Sequence, residues 1–254
     1  MSSSLAEALD ASLELGELIQ LSGGHTSRVV EHMERLALSL GAEECHPAVS
    51  SLNLSMTVLA GGQLLSGGRH AVHLGINFAA LTALERLVYD TEALGLSAEQ
   101  VRARLLLIRS ARPEYPHWMV MLALGGSGAA FAAMFGATAV GIALTFLGTW
   151  AGAWIRLLTV KARQKPFICI GSAAFVSALI VALGTNLLSV DQVDPALAAS
   201  TLFLVPGVPM LNGTADLLSA HYLNGVVRLT MSAVIVACAA VGLGAAVALV
   251  GVLL

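Results

Sequence analysis

The chain is short of charge. Of its 254 residues only 11% are Asp, Glu, Lys or Arg, against 57% that are hydrophobic. A soluble domain carries about 25% charged residues, so the composition excludes a wholly soluble chain. Acids and bases nearly cancel, at a formal net charge of −3. There is no basic surplus of the kind that grips a phosphate backbone, and no nucleic-acid partner is expected. Cysteine is scarce as well. Cys45, Cys169 and Cys238 lie far apart and form no CxxC pair, which argues against a disulfide framework or a zinc site. No metal and no cofactor is expected. The motifs GxGD, HExxH and GxSxG are absent, so no catalytic residue is expected and an enzymatic reading ranks last. Residues 1–20 contain Glu7, Asp10, Glu14 and Glu17 and lack a basic start followed by an apolar core. No secretory signal is therefore expected, and the N-terminal part should stay in the cytoplasm.

What charge there is lies unevenly. Acids and bases are mixed from Met1 to His117 and become rare after Trp118. Two modules follow: a cytoplasmic α+β domain over 1–112 and a transmembrane domain over 113–254. At about 20 residues per span, the second module should hold five helices: His117–Phe135, Ala137–Val160, Phe167–Ser189, Ala199–Ala220 and Val226–Leu254. The expected fold class is thus an α-helical integral membrane protein, a five-helix transmembrane bundle preceded by a small α+β domain. Basic residues stay cytoplasmic. Arg109 and Arg112 precede the first span, and Arg156, Lys161, Arg163 and Lys165 cluster after the second. Arg228 opens the fifth, while the loop Val190–Pro195 has two acids and no base. The pattern expects a multi-pass protein of a bacterial inner membrane, with the N-terminus inside and the C-terminus outside. Tyr115, Trp118 and Trp154 fall where interfacial aromatics belong.

The N-terminal module begins with leucines at nearly helical spacing, and a second helix is expected from Thr26 to Leu40, stopped by Gly41. Extended runs follow at Cys45–Ser51, Leu52–Ala60 and Leu64–Leu74, the last two joined by a hairpin at Gly61-Gly62-Gln63. Ile76–Ala93 and Ser97–Ser110 return to helix, with Ser97 and Gln100 in capping-box positions. His25, Arg28, Glu31, His32 and Arg35 share a helix face. They read either as a ligand site or as a solvated ladder of ion pairs. His70 and His73 should point to opposite faces of a strand, against a joint site.

The most telling stretch is the fourth span. Pro206-Gly207-Val208-Pro209 interrupts it, and Asn212 and Asp216 follow one turn apart. Proline removes a backbone donor, so the helix should bend or break. Freed backbone groups and a carboxylate are tolerated in hydrocarbon only beside protein or a water-filled cavity. A broken helix carrying polar groups is a common way to build a transport site. Pro206, Gly207, Pro209, Asn212 and Asp216 are therefore candidates for a substrate path or for coupling. Asp216 can serve as a proton carrier, as a group that orients an anionic substrate, or as a partner for Arg156 or Arg228. His25, Arg28, Glu31 and Asn186 are weaker candidates. The bland alternative is a packed, kinked helix. The glycines Gly125, Gly126 and Gly128, and the pair Gly148 and Gly152, read as helix-packing positions.

The run LFLVPGVPMLNGTADLLSAHYLNGVVR, ending at Arg228, resembles the signature of the threonine/serine exporter (ThrE-like) family. Gly24-His25-Thr26-Ser27-Arg28-Val29-Val30-Glu31 is similar to a second pattern of that family, with His25 where an acid is common and Val30 where Glu is frequent. The hairpin, Gly75-Ile76-Asn77, Ser50-Ser51-Leu52-Asn53 and Tyr115-Pro116-His117-Trp118 extend the likeness over nearly the whole chain. Fused members continue into a second block of membrane helices. With five expected spans, the chain is most similar to the large subunit of the split form (YjjP-like), which works with a small membrane protein (YjjB-like). The resemblance implies an exporter subunit for small carboxylates: succinate or related dicarboxylates in the split branch, threonine and serine in the other. It also implies a hetero- or homo-oligomer in the lipid bilayer. A membrane-tethered regulatory or scaffold subunit is the reading of another class.

Overall fold

The computed structural model describes residues 2–71, 75–111, 115–190 and 193–253. Contacts divide it into two compact units. The first gathers Met1–Arg112 with Gly207–Thr230, and the second Pro113–Pro206 with Met231–Leu254. Gly207–Thr230, which the sequence groups with the membrane helices, thus packs with the N-terminal part.

The first unit is built on a three-stranded antiparallel sheet in the order β1-β2-β3, with β1 Glu44–Val49, β2 Asn53–Ala60 and β3 Gln63–His70. Gly61 and Gly62 both have positive φ, 56° and 74°. That is the requirement of a two-residue hairpin turn whose twist matches the strands. Leu54, Met56 and Val58 alternate along β2 and are all buried. They join Leu15 and Ile19 of α1 (Ser2–Leu21) and Met33 and Leu36 of α2 (Thr26–Ser39) in one core. Gly41, at φ 98°, follows α2 as expected. Helix α3 spans Phe78–Leu94 and α4 spans Ala98–Ser110. The structure starts α3 two residues later than the sequence suggests because the Asn77 side chain caps it, accepting from the Ala80 N–H. The Ser97–Gln100 capping box is formed in both directions. His73 and the expected end of the third strand at Leu74 lie outside the described residues. His70 is exposed and bonded to Asn53. Toward its C-terminus the unit is completed by α9 (Gly207–Leu218) and the start of α10 (Tyr222–Leu253).

The second unit is helical: α5 (His117–Met134), α6 (Ala139–Lys161), α7 (Pro166–Leu187), α8 (Asp194–Thr201), a 3-10 turn over Leu202–Leu204, and the remainder of α10. Gly136, at φ 83°, makes the tight turn between α5 and α6, and Thr138 caps α6. Helices α6 and α7 touch through glycine. A Cβ on Gly148 would lie 2.7 Å from the Ser177 carbonyl, and one on Gly152 would lie 2.8 Å from that of Ala173. Hydroxyls fasten α8 beside them. Thr145 Oγ1 donates to Ala196 O at 3.1 Å, and Thr149 Oγ1 and Ser177 Oγ both donate to Ser200 O, at 3.2 and 2.7 Å.

Among the described residues, α5, α6, α7 and α10 are long and apolar enough to cross a membrane. The broken stretch Asp194–Leu218 makes a fifth candidate if counted as one span. The expected fourth span, Ala199–Ala220, is therefore not one kinked helix. It starts earlier, at Asp194, where Pro195 sits in the first turn, and it is broken at Val205–Pro206. Val205 is extended, at ψ 122°, as the residue before a proline tends to be.

Candidate functional site

Four side chains of the C-terminal signature meet at the first turn of α2. Asp216 is wholly buried. Its Oδ1 accepts the Thr26 backbone N–H at 2.8 Å, and its Oδ2 accepts the Thr26 hydroxyl at 3.0 Å. Arg228 Nε lies 3.3 Å from the same Oδ2. The first N–H groups of a helix lack intrahelical partners, and that end carries partial positive charge. Asp216 supplies an acceptor there from 190 residues away. Asn212 Nδ2 donates to Gly23 O at 2.7 Å, and Arg228 Nη2 donates to Gly24 O at 3.1 Å. Asn224, also buried, donates to Thr26 Oγ1 at 3.0 Å and to Val49 O at 2.9 Å, and accepts from Ser51 Oγ at 3.3 Å.

The local sequence explains the convergence. Asn212 and Asp216 are one turn apart on α9, and Asn224 and Arg228 one turn apart on α10, so each pair shares a face. The helices touch at glycine: a Cβ on Gly225 would fall 2.8 Å from Gly213 O and 2.7 Å from the Leu217 side chain. Between them Ala220 takes a left-handed conformation, φ 63°. His221 N donates to Asp216 O at 2.8 Å and Ala220 N to Leu217 O at 3.2 Å. This is a Schellman ending, usually made with glycine. On the other side, a Cβ on Gly24 would lie 2.6 Å from Ile19 Cγ2.

The other candidates are dispersed. Pro206 is buried and closes the second unit, whereas Gly207 is exposed at the start of α9, with open space where a Cβ would stand. Pro209, half-buried, is the third residue of α9. His25 is the N-cap of α2, its Nδ1 accepting from Arg28 N at 3.3 Å. Burial, and after it the Arg28 charge, hold this imidazole below its ordinary pKa. Arg28 pairs with Glu85 of α3 at 3.0 Å, and Glu31 lies 3.5 Å from Arg35, which also binds Glu92 and stacks on Tyr89. His32 is buried, with Nδ1 against Arg28 O. On this face α3 supplies acids to Arg28 and Arg35, Glu31 pairs with Arg35 within α2 and stays exposed, and His32 is buried. Asn186 lines a cavity of about 450 Å³ at the end of α7, with Ser189, Val193 and Gly251.

Two partners in this cluster, Thr26 and Asn224, were not candidates from sequence. The one available signal was spacing, since Asn224 and Arg228 repeat the four-residue interval of Asn212 and Asp216.

Residues 10–250 match the family model described as "Putative threonine/serine exporter". A protein of Klebsiella aerogenes named "Probable succinate transporter subunit YjjP" is 30% identical over 227 residues, which is 89% of this chain and 87% of that protein. The protein of the same name from Escherichia coli (strain K12) is 29% identical over 231 residues, 91% of this chain and 90% of its own. An "Uncharacterized protein" of Haemophilus influenzae is 27% identical over 115 residues, covering 45% of this chain and 38% of that protein. No solved structure matches. The apolar helices mark a multi-pass membrane protein, and the family match over residues 10–250 makes the chain a member of the threonine/serine exporter family of transport proteins.

Proposed function

We propose that the chain is one subunit of a bacterial inner-membrane exporter of small carboxylate metabolites, succinate or a related dicarboxylate foremost. It works with a small YjjB-like membrane subunit that supplies further helices, and it moves its substrate without chemical change. The five apolar stretches form its membrane bundle, with the N-terminus in the cytoplasm and the C-terminus outside. Pro206, Gly207, Pro209, Asn212 and Asp216 form or border the substrate path. The observation that carries this reading is the broken apolar stretch Asp194–Leu218, which bears a wholly buried, charge-paired carboxylate in its second half. Both features are costly in or near a bilayer and are typical of transport elements. The names of the two relatives, matched over about nine-tenths of their length, support succinate and a subunit role.

The test is efflux of labelled succinate and labelled threonine from cells expressing this chain with and without the small partner. Succinate efflux that needs both chains is expected. Threonine efflux would move the chain to the amino-acid branch of the family, and efflux of neither would reject the proposal. The use of Asp216 in coupling has its own check: an Asp216→Asn variant with normal export and normal pH dependence would remove it.

One observation favours a regulatory or scaffold subunit as the second reading. The polar groups of the signature are engaged with the start of α2. Deleting 1–112 would strand Asp216 without its Thr26 donors, so Thr26→Val is the cleaner discriminator. A scaffold loses partner binding with it, whereas a transport path changes flux while the complex persists.

A further inference from the structure

Among the described arginines Arg86, Arg156 and Arg163 have no ion pair, and of these three only Arg156 lies within a candidate membrane span. Arg28, Arg35, Arg69, Arg102, Arg104, Arg109 and Arg228 each face a carboxylate within 4.0 Å. Arg156 has no ion pair and no side-chain hydrogen bond among the described residues, although it lies inside α6, a candidate membrane span. Its side chain is exposed. Asp216, the acid that the sequence leaves open to it, belongs to Arg228. The one described acid of its own unit, Asp194, opens α8 beside Thr145, since Thr145 bonds Ala196 O. From there to Arg156 is roughly 17 Å along α6 at 1.5 Å per residue.

The direction of Arg156 is set by the row it ends. Thr145, Gly148 with Thr149, and Gly152 all face the seam where α7 and α8 meet α6. A Cβ on Gly152 would lie 2.8 Å from Ala173 O and 3.2 Å from Phe203 Cζ, so this row points at α7 and the 3-10 turn. One turn further on, Arg156 continues the row and has the Cys169 thiol of α7 as its electrostatic neighbour. Ionisable residues inside spans face the bundle interior or a cavity and are paired. Here no acid among the described residues pairs with it, and arginine's fork matches a carboxylate in two-point geometry.

We infer that Arg156 is the residue that receives a carboxylate of the transported anion, at the α6–α7 seam beside the 3-10 turn. This deepens the proposed function and rests on it for the identity of the anion. An anionic lipid headgroup offers the same oxygen chemistry, and so does a carboxylate from a partner subunit, and the experiment separates the three.

Full-length protein in native membrane vesicles, with the small partner, is treated with phenylglyoxal, and arginine modification is mapped by mass spectrometry. Unpaired Arg156 should react before buried, paired Arg228, and succinate should protect it in a saturable way while its uncharged diamide does not. Protection that appears only on adding anionic lipid, or none at all, overturns the inference. In succinate counterflow, Arg156→Gln should raise the half-saturation concentration about tenfold or more, as expected for loss of a charge-assisted pair, and Arg156→Lys should recover part of it. An unchanged value refutes the assignment, as does rescue of Arg156→Glu by a charge-reversed partner subunit. If wild type carries no succinate yet Arg156 is still protected, the site stands and the transport reading fails. If wild type carries succinate and Arg156 is indifferent, the reverse holds.

Discussion

Removing Asp216 should unfasten the first turn of α2. In Asp216→Ala, the Thr26 N–H and hydroxyl lose their acceptor and the Arg228 guanidinium, 15% exposed, loses its counter-charge. Breaking one side of a buried pair costs about 3–5 kcal/mol, and losing a helix N-terminal acceptor about 1 kcal/mol. The two overlap on one side chain, so about 3–5 kcal/mol is the expected loss. Asp216→Asn keeps one acceptor for the Thr26 N–H but turns an NH₂ toward Arg228. About 2 kcal/mol is expected there, the scale of a hydrogen bond to a charged group. Thr26→Val removes the hydroxyl alone and should cost about 1 kcal/mol. The assay is denaturant unfolding of the purified chain in detergent, followed by a probe in the first unit. Asp216 and Thr26 should couple by more than about 0.5 kcal/mol in a double-mutant cycle. The pair Asp216→Leu with Arg228→Met should be less damaged than either single variant, because a buried pair replaced by apolar groups removes the stranded charge. Additive effects of Asp216 and Thr26, or an Asp216→Ala variant as stable as wild type, would refute the clamp.

Gly225→Ala should destabilise by about 1–3 kcal/mol because its Cβ meets the Gly213 carbonyl; normal thermal stability would show that α9 and α10 are not in close contact. Gly207→Ala meets open space and should fold normally, so a loss of efflux at wild-type abundance would mark the broken helix as functional rather than structural. Ala220→Gly should leave stability unchanged or raise it by up to about 1 kcal/mol, since it relieves a left-handed alanine; destabilisation would argue against the Schellman ending. His25 has a folded pKa below its usual value, so the unfolded chain takes up the proton first. Stability should therefore fall as pH drops below about 6.5 and level off under the folded pKa, and His25→Asn, which keeps the cap, should lose that slope in a pH series of unfolding midpoints.

What could be read from the sequence was written locally. The glycine hairpin, the Ser97 capping box and the apolar helices each carry their signal within a few residues, and each appears in the structure. The helix break at Pro206 was legible for the same reason. The partners of Asp216 were not, because they depend on which surface α9 packs against. The first turn of α2 lies 190 residues away, and nothing in the spacing of either segment announces it. The choice between Arg156 and Arg228 was likewise decided by packing. His32 shows the opposite limit: its charged neighbours make its face look solvated, and only α3 reveals it as buried.

Helix α10 runs unbroken through 32 residues, about 48 Å at 1.5 Å per residue. A hydrocarbon layer of about 30 Å accommodates about 20 of them upright, and a helix that long would need a tilt of roughly 50° to hide entirely, beyond the usual range. About a third of it must therefore lie outside the hydrocarbon, and the start of the helix, which carries Asn224 and Arg228, is its polar end. Hydrophobic mismatch then bears directly on the Asp216–Arg228 pair. A thicker bilayer pulls that pair toward hydrocarbon and a thinner one toward water, so the membrane's own thickness becomes a variable in the strength of the clamp.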